Sequence, residues 1–144
     1  MSVGWPAHLW LHEFGRLVRQ AFGRTPYLVG SAVDSKEWRD VDVVVMLDPD
    51  EWDAMFHGAP AGAIGAIPKA RALCMAFSAL GQQMTGLPID FQVERLSEAN
   101  ELHGGEPRNA IGLWHNCPIK REEPTAAECE LLERARQKHT GATP

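Results

Sequence analysis

The sequence predicts an α+β domain: a small mixed or antiparallel sheet with helices packed on one face and a row of acids on the other. Three observations lead there. Apolar residues recur at three- and four-residue spacing over Pro6–Phe22 and Lys69–Met84, the signature of helices with one buried face. Two short β-branched runs, Tyr27–Val29 and Asp40–Leu47, read as strands, the second apolar throughout past its acids as a central strand requires. A third run, Ile89 to Glu94, alternates: Ile89, Phe91 and Val93 face one way, Asp90, Gln92 and Glu94 the other.

Each element has a local cause. The first helix carries Trp10, Phe14, Leu17, Val18 and Ala21 on one face, with Pro6 in its first turn and Gly23 at its exit. Thr25-Pro26 turns the chain into the strand Tyr27–Val29, and Gly30-Ser31 turns it out again. A polar connector, Asp34 to Arg39, leads to the second strand. Asp48-Pro49-Asp50 is a turn whose acids can cap a short helix through Glu51–Phe56. Residues 58–68, rich in Gly, Ala and Pro, read as a mobile surface loop. The helix Lys69–Met84 aligns Leu73, Phe77, Leu80 and Met84, and Gly86-Leu87-Pro88 delivers the chain to the third strand. Residues 106–114 read as loop with at most a short strand. Thr125 and Glu128 match a capping box opening a last helix to about Lys138, ahead of a frayed tail, Thr140–Pro144.

Bulk properties set the class. At 144 residues, one domain spanning 1–144 is expected, with its core in 7–94 and a loop and helix in 95–144. A formal net charge of −5 argues against a sequence-independent nucleic-acid binder, which shows a basic face. Cys74, Cys117 and Cys129 are odd in number and lack C-x-x-C spacing, so reduced thiols are expected. The N-terminus has no basic segment leading into an apolar run, and no apolar stretch reaches membrane-spanning length. A cytoplasmic protein is the expectation.

The chemistry is carried by the acids. Asp40 and Asp42, two apart on a strand, point to one face, and Asp90 sits between apolar neighbours on a later strand. Three carboxylates converging on one sheet repel one another unless a cation lies between them. In a purely structural alternative, Asp40 begins a strand while Asp42 and Asp90 each pair with an arginine. Holding two acids in otherwise apolar strands without a counter-charge argues against it.

The order apolar strand, Gly30-Ser31, connector, Asp40-Val41-Asp42, and then Asp90 on a later strand resembles the nucleotidyltransferase superfamily typified by DNA polymerase beta. It is most similar to the minimal stand-alone members, over roughly residues 7–94. The connector between Ser31 and Asp40 is slightly shorter than is usual there, which requires a tight turn. The resemblance implies a nucleotidyltransferase-like fold in which Asp40 and Asp42 hold two magnesium ions, with manganese as the substitute. Asp90 would share the metal nearer the attacking hydroxyl, and Gly30 and Ser31 would meet phosphate. Two such cations, about 3.5–4 Å apart, stabilise the attacking and leaving oxygens of an in-line displacement. The implied reaction transfers a nucleoside monophosphate from an NTP such as ATP to an acceptor hydroxyl, releasing pyrophosphate. Small molecule, RNA end and protein side chain all remain open as acceptors. The competing implication is a catalytically inactive nucleotide-sensing or partner-binding module, as in toxin–antitoxin pairs. The C-terminal helix could then dock a partner, although covering its own domain through Leu131 and Leu132 is the simpler role. A homodimer is also open.

Of the basic residues that could meet a triphosphate, Lys36, Arg39, Lys69, Arg71 and Arg108, the last is the best placed, in the loop Gly104–Asn109. Arg39 points away from Asp40 on strand geometry, which leaves a structural salt bridge and ligation equally open. His103, His115 and Cys117 lack the paired short spacing of a zinc site. Ser31 lacks the Gly-x-Ser-x-Gly context of a hydrolase nucleophile. Trp10, Trp38 and Trp114 are expected to pack, with Trp38 the one placed to stack on a base.

Overall fold

A computed structural model describes residues 3–57 and 66–113, together with Glu130, Glu133 and Arg134. The chain divides into Met1–Leu113 and Trp114–Pro144, and the sheet and its helices belong to the first unit. Residues 58–65 of the loop expected at 58–68, the capping box at Thr125, the helix through Leu131 and Leu132, and Trp114, His115, Cys117 and Cys129 lie outside the described residues.

The expected α+β class holds. Helix α1 (Ala7–Phe22) leads to strand β1 (Tyr27–Val29) and a 3-10 turn over Gly30–Ala32. Next come strand β2 (Val41–Leu47), helix α2 (Pro49–Phe56), helix α3 (Pro68–Thr85) and strand β3 (Ile89–Arg95). Helix α4 (Leu96–His103) and a short strand β4 (Asn109–Ala110) complete the unit. The sheet is mixed, in the order β3-β2-β1-β4, with β2 and β3 parallel and the other pairs antiparallel.

Register follows burial. Val41, Val43, Val45 and Leu47 of β2 and Ile89, Phe91 and Val93 of β3 enter one core with Leu11, Phe14 and Val18 of α1. Phe91 is fully buried and meets the rings of Phe77, Phe22 and Phe14 at centroid distances of 5.0, 5.8 and 6.3 Å. Burying such side chains is the main driving force of the fold, roughly 1.5–3 kcal/mol each. Shifting β3 by one residue would put Asp90 and Gln92 into this core, so the register is strongly specified.

The face of α1 differs from the expected one. Leu11, Phe14, Gly15 and Val18 are its buried residues, whereas Trp10 is 49% and Leu17 38% exposed. Gly15 explains the rotation. A Cβ there would lie 2.8 Å from Ile111 Cγ1 and 2.9 Å from the Gly112 nitrogen, so the helix packs closely on the segment after β4. Periodicity alone weighs large side chains and passes over a small residue that permits close approach. Trp38 does pack against the main core.

At α2, Asp48 accepts from the backbone of Glu51 while the Glu51 carboxylate accepts from the Asp48 N–H, at 3.0 Å, a reciprocal cap. Arg24 holds both acids from outside, bonding Glu51 at 2.9 Å and pairing with Asp48. Helix α3 protects the open edge of β3. Ser78 Oγ accepts the Phe91 N–H at 2.8 Å, Gln82 Nε2 donates to the Ile89 carbonyl at 3.1 Å, and the Val93 backbone bonds to Cys74. Residues 74, 78 and 82 advance four at a time on the helix as 93, 91 and 89 retreat two at a time on the strand. Four helical residues rise about 6 Å and two strand residues about 6.6 Å, so the two ladders keep step.

Helix α4 is an element that the sequence patterns do not predict. It lies on the opposite side of the sheet from α1, where Leu96 and Ala99 pack with Tyr27, Val29, Val44 and Met46 in a second small cluster. Helices therefore cover one face fully and the end of the other in part. The remainder of that second face is where the acids emerge.

Candidate active site

Asp42 and Asp90 are direct partners on the parallel strands β2 and β3, and Asp42 also pairs with Val29 of β1. Asp40 precedes the first residue of β2 by one position. Burial raises the pKa of the Asp42 carboxyl, and the neighbouring Asp40 and Asp90 raise it further against a smaller opposing effect of Arg39. Asp42 thus senses both other acids electrostatically. Among the described residues no hydrogen bond reaches the Asp42 carboxylate.

The Gly-Ser turn is built against this carboxylate. Gly30 has φ +70°, and a Cβ on it would stand 2.6 Å from Asp42 Oδ2. Both the left-handed conformation and the space require glycine. The turn closes tightly, with the Val33 N–H donating to the Gly30 carbonyl at 3.2 Å and the Ser35 N–H to the Ser31 carbonyl at 2.9 Å. The short connector to Asp40 is accommodated by this 3-10 coil.

Asp40 and Asp90 have other contacts. Arg39 reaches Asp40 Oδ2 at 3.4 Å, so it turns toward its neighbour rather than away as strand alternation suggested. The reason is that β2 starts only at Val41, and alternation does not bind the residues before it. Gln92 Nε2 donates to Asp90 Oδ2 at 3.1 Å. No group of three or more His, Cys, Asp or Glu side chains among the described residues is arranged to hold a metal ion. The donor chemistry still fits a hard divalent cation, because carboxylate oxygens are what magnesium takes and it keeps several waters. Asp42, half-buried and without a hydrogen-bonded counter-charge, is the group such an ion would satisfy.

Two concavities flank the acids. A cleft of about 180 Å³ has Val29, Val44 and Met46 as its floor and Gly30 and Asp42 at one end. Gln92, Glu94, His103, Glu106 and Arg108 complete its lining. Asp90 lines a separate groove of about 490 Å³ beside α3, with Arg71, Cys74, Ser78 and Gln82. There burial raises the Cys74 thiol pKa, the effect expected of an unreactive cysteine. Ser31 is exposed and lines neither.

Arg108 reaches the cleft, but its guanidinium is already engaged. It donates to the Ala99 carbonyl at 3.0 Å and the His103 carbonyl at 3.1 Å, capping the last turn of α4, and to Asn100 Oδ1 and Met46 Sδ, both at 3.3 Å. A cation suits a helix C-terminus, so Arg108 holds α4 on the sheet and presents only its remaining surface to the cleft. Lys69 is likewise bonded to the Met55 carbonyl at 3.1 Å.

Sequence reasoning overlooked Glu94 and Glu106 as site residues and weighed His103 only as a zinc ligand. His103 Nδ1 and Glu106 Oε1 are 3.0 Å apart, and that hydrogen bond raises the His103 pKa. Burial raises the Glu94 carboxyl, partly offset by His103 and Arg108. The signal for Glu94 was its place on the polar face with Asp90 and Gln92. No local signal could have found the other two, which arrive through the placement of α4. No helix among the described residues is long and apolar enough to cross a membrane. No family model, curated protein or solved structure matches the chain.

Proposed function

We propose that this protein is a cytoplasmic, metal-dependent nucleotidyltransferase that moves a nucleoside monophosphate from an NTP to an acceptor hydroxyl. The carrying observation is the seating of Asp42 beside Asp90 in register and against Gly30, with Asp40 adjacent. An enzyme of phosphate esters needs a place where anionic oxygens and cations meet next to backbone that a phosphate can approach.

Asp40 and Asp42 would hold the divalent cation, and Asp90 would join them by releasing Gln92. The cation, when bound, offsets charge on the phosphate oxygens. The chain's own part is positioning. Gly30 keeps side chains off the phosphate path, and Asp42 fixes one edge of the site. Asp90, on the groove beside α3, accepts or passes to water the proton of the attacking hydroxyl. The acceptor oxygen bonds to the α-phosphorus, the bond to the bridging oxygen breaks, and pyrophosphate leaves with the electron pair. Most of the rate would come from orientation and electrostatics.

The contacts Arg39–Asp40 and Gln92–Asp90 favour the second reading, a module that binds nucleotide or a partner without turnover. Thermal stabilisation by ATP, GTP, CTP and UTP, with and without magnesium or manganese, separates them from a site of another kind. Ligand at about 100 times its dissociation constant adds roughly 2.7 kcal/mol. Metal-dependent stabilisation lost in Asp42→Asn supports the site, and pyrophosphate release lost in Asp90→Asn supports the enzyme. No nucleotide effect in the wild type would end the enzyme reading and leave a module that works through a partner.

A further inference from the structure

The cleft holds three carboxylates, and they are not equivalent. Asp42 lies with the acid trio at one end. Glu106 is occupied by His103. Glu94 is half-buried, faces the same cleft, and takes no hydrogen bond among the described residues. A carboxylate withdrawn from water without a donor is costly, and a ligand that supplies donors relieves that cost.

Its position along the sheet is fixed by register. Asp42 pairs with Asp90, and Glu94 pairs with Met46, four residues further along the same two parallel strands. At about 3.3 Å per residue the acid trio and Glu94 are roughly 13 Å apart. Val44 lies between them and Met46 beside Glu94, an apolar floor, and α4 with its following turn forms the opposite wall. A nucleotide whose phosphates lie at Gly30 and Asp42 would extend its base over this floor toward Glu94.

We propose that Glu94 selects the base of the donor nucleotide, and that the base is guanine; this rests on the nucleotidyltransferase reading above. A carboxylate offers two parallel acceptor oxygens. Among the four bases only guanine presents two adjacent N–H donors, N1–H and the 2-amino group, on its pairing edge. Adenine and cytosine offer one amino group beside an acceptor nitrogen that would repel the second oxygen, and uracil offers one N–H between two carbonyls. Arg108, His103, Glu98 and Glu106 all stand near Glu94, so its surroundings carry charges of both signs. A neutral edge with two parallel donors matches the pair of acceptor oxygens.

Inosine triphosphate, which is GTP without the 2-amino group, is the decisive probe. Binding of Mg-GTP, Mg-ITP and Mg-ATP to the whole chain is measured by calorimetry, with Glu94→Gln and Asp42→Asn alongside. A hydrogen bond to a charged group implies that the wild type binds ITP about tenfold or more weaker than GTP. Glu94→Gln, which keeps the shape, should bring the GTP-to-ATP ratio close to one, weakening GTP and relieving the repulsion of adenine's acceptor nitrogen. The comparison of GTP with ITP uses only the wild type, so the test stands even if the variant folds poorly. Equal binding of GTP and ITP, or tighter binding of ATP, overturns the role of Glu94 and leaves the nucleotide site intact. Failure of every nucleotide to bind overturns both.

Discussion

Gly30 gives the sharpest test of how the site is built. Replacing it by alanine does two separable things. Alanine must adopt φ +70°, a left-handed conformation that costs an L-residue roughly 1–2 kcal/mol. Its Cβ must also share space with Asp42 Oδ2, only 2.6 Å away. Gly86 supplies the control, because it too has φ +70° but nothing lies within 4 Å of its added Cβ. Gly86→Ala should therefore lose only the backbone cost, lowering Tm by about 3–6 °C for a chain of this size. Gly30→Ala should lose more, because a half-buried carboxylate must move. Contacting residues couple by about 0.5–3 kcal/mol, so the excess should exceed roughly 0.5 kcal/mol. In an Asp42→Ala background the excess should vanish, leaving Gly30→Ala as costly as Gly86→Ala. Urea denaturation of the four members of the cycle, with Gly86→Ala measured beside them, gives the coupling directly. Absence of coupling would refute the claim that the Gly-Ser turn is seated against Asp42.

Three further outcomes are expected. Burial, Asp40 and Asp90 raise the folded-state pKa of Asp42 above its unfolded value, so its protonated form stabilises the fold below about pH 4 and that contribution is lost as pH rises through the folded-state pKa. Asp42→Asn should then be more stable than wild type at pH 7, by a margin that shrinks on acidification; a variant less stable at pH 7 would contradict the electrostatics. Ser78→Ala leaves the Phe91 N–H without its acceptor on the edge of β3, which should cost about 1–3 kcal/mol and speed hydrogen exchange at Phe91. Gly81→Ala places a Cβ 2.9 Å from Ile89 Cγ2 and 3.0 Å from Phe14 Cζ; overpacking of about 1–3 kcal/mol should outweigh a helix-propensity gain near 1 kcal/mol, giving a lower denaturation midpoint.

The local order of this chain was legible because short-range physics dictates it. Helices α1 and α3, strands β1 to β3 and the Asp48 cap can each be read from spacing, β-branching and turn residues, with ends within a residue or two of those observed. Asp42 and Asp90 were equally legible, since alternation on a strand fixes which side chains share a face, whereas Asp40, one position before β2, lies outside that argument. Their common face needed only the assumption that β2 and β3 are neighbours, and the register of Asp42 with Asp90 meets it.

What the tertiary structure alone decided is the rest of the site. Helix α4 carries a weak pattern of its own, and its place over Met46 and Val44 depends on Arg108, five residues beyond its end, returning to its final carbonyls. That clasp gives the arginine expected to meet phosphate a hold on α4 at the cleft wall and brings His103 and Glu106 to the cleft. The exposure of Trp10 was decided in the same way, by the approach of Gly15 to Ile111 almost a hundred residues later. Periodicity records which residues of one element share a face. It carries nothing about which other element comes to cover that face, because long-range contacts depend on how all the elements pack at once.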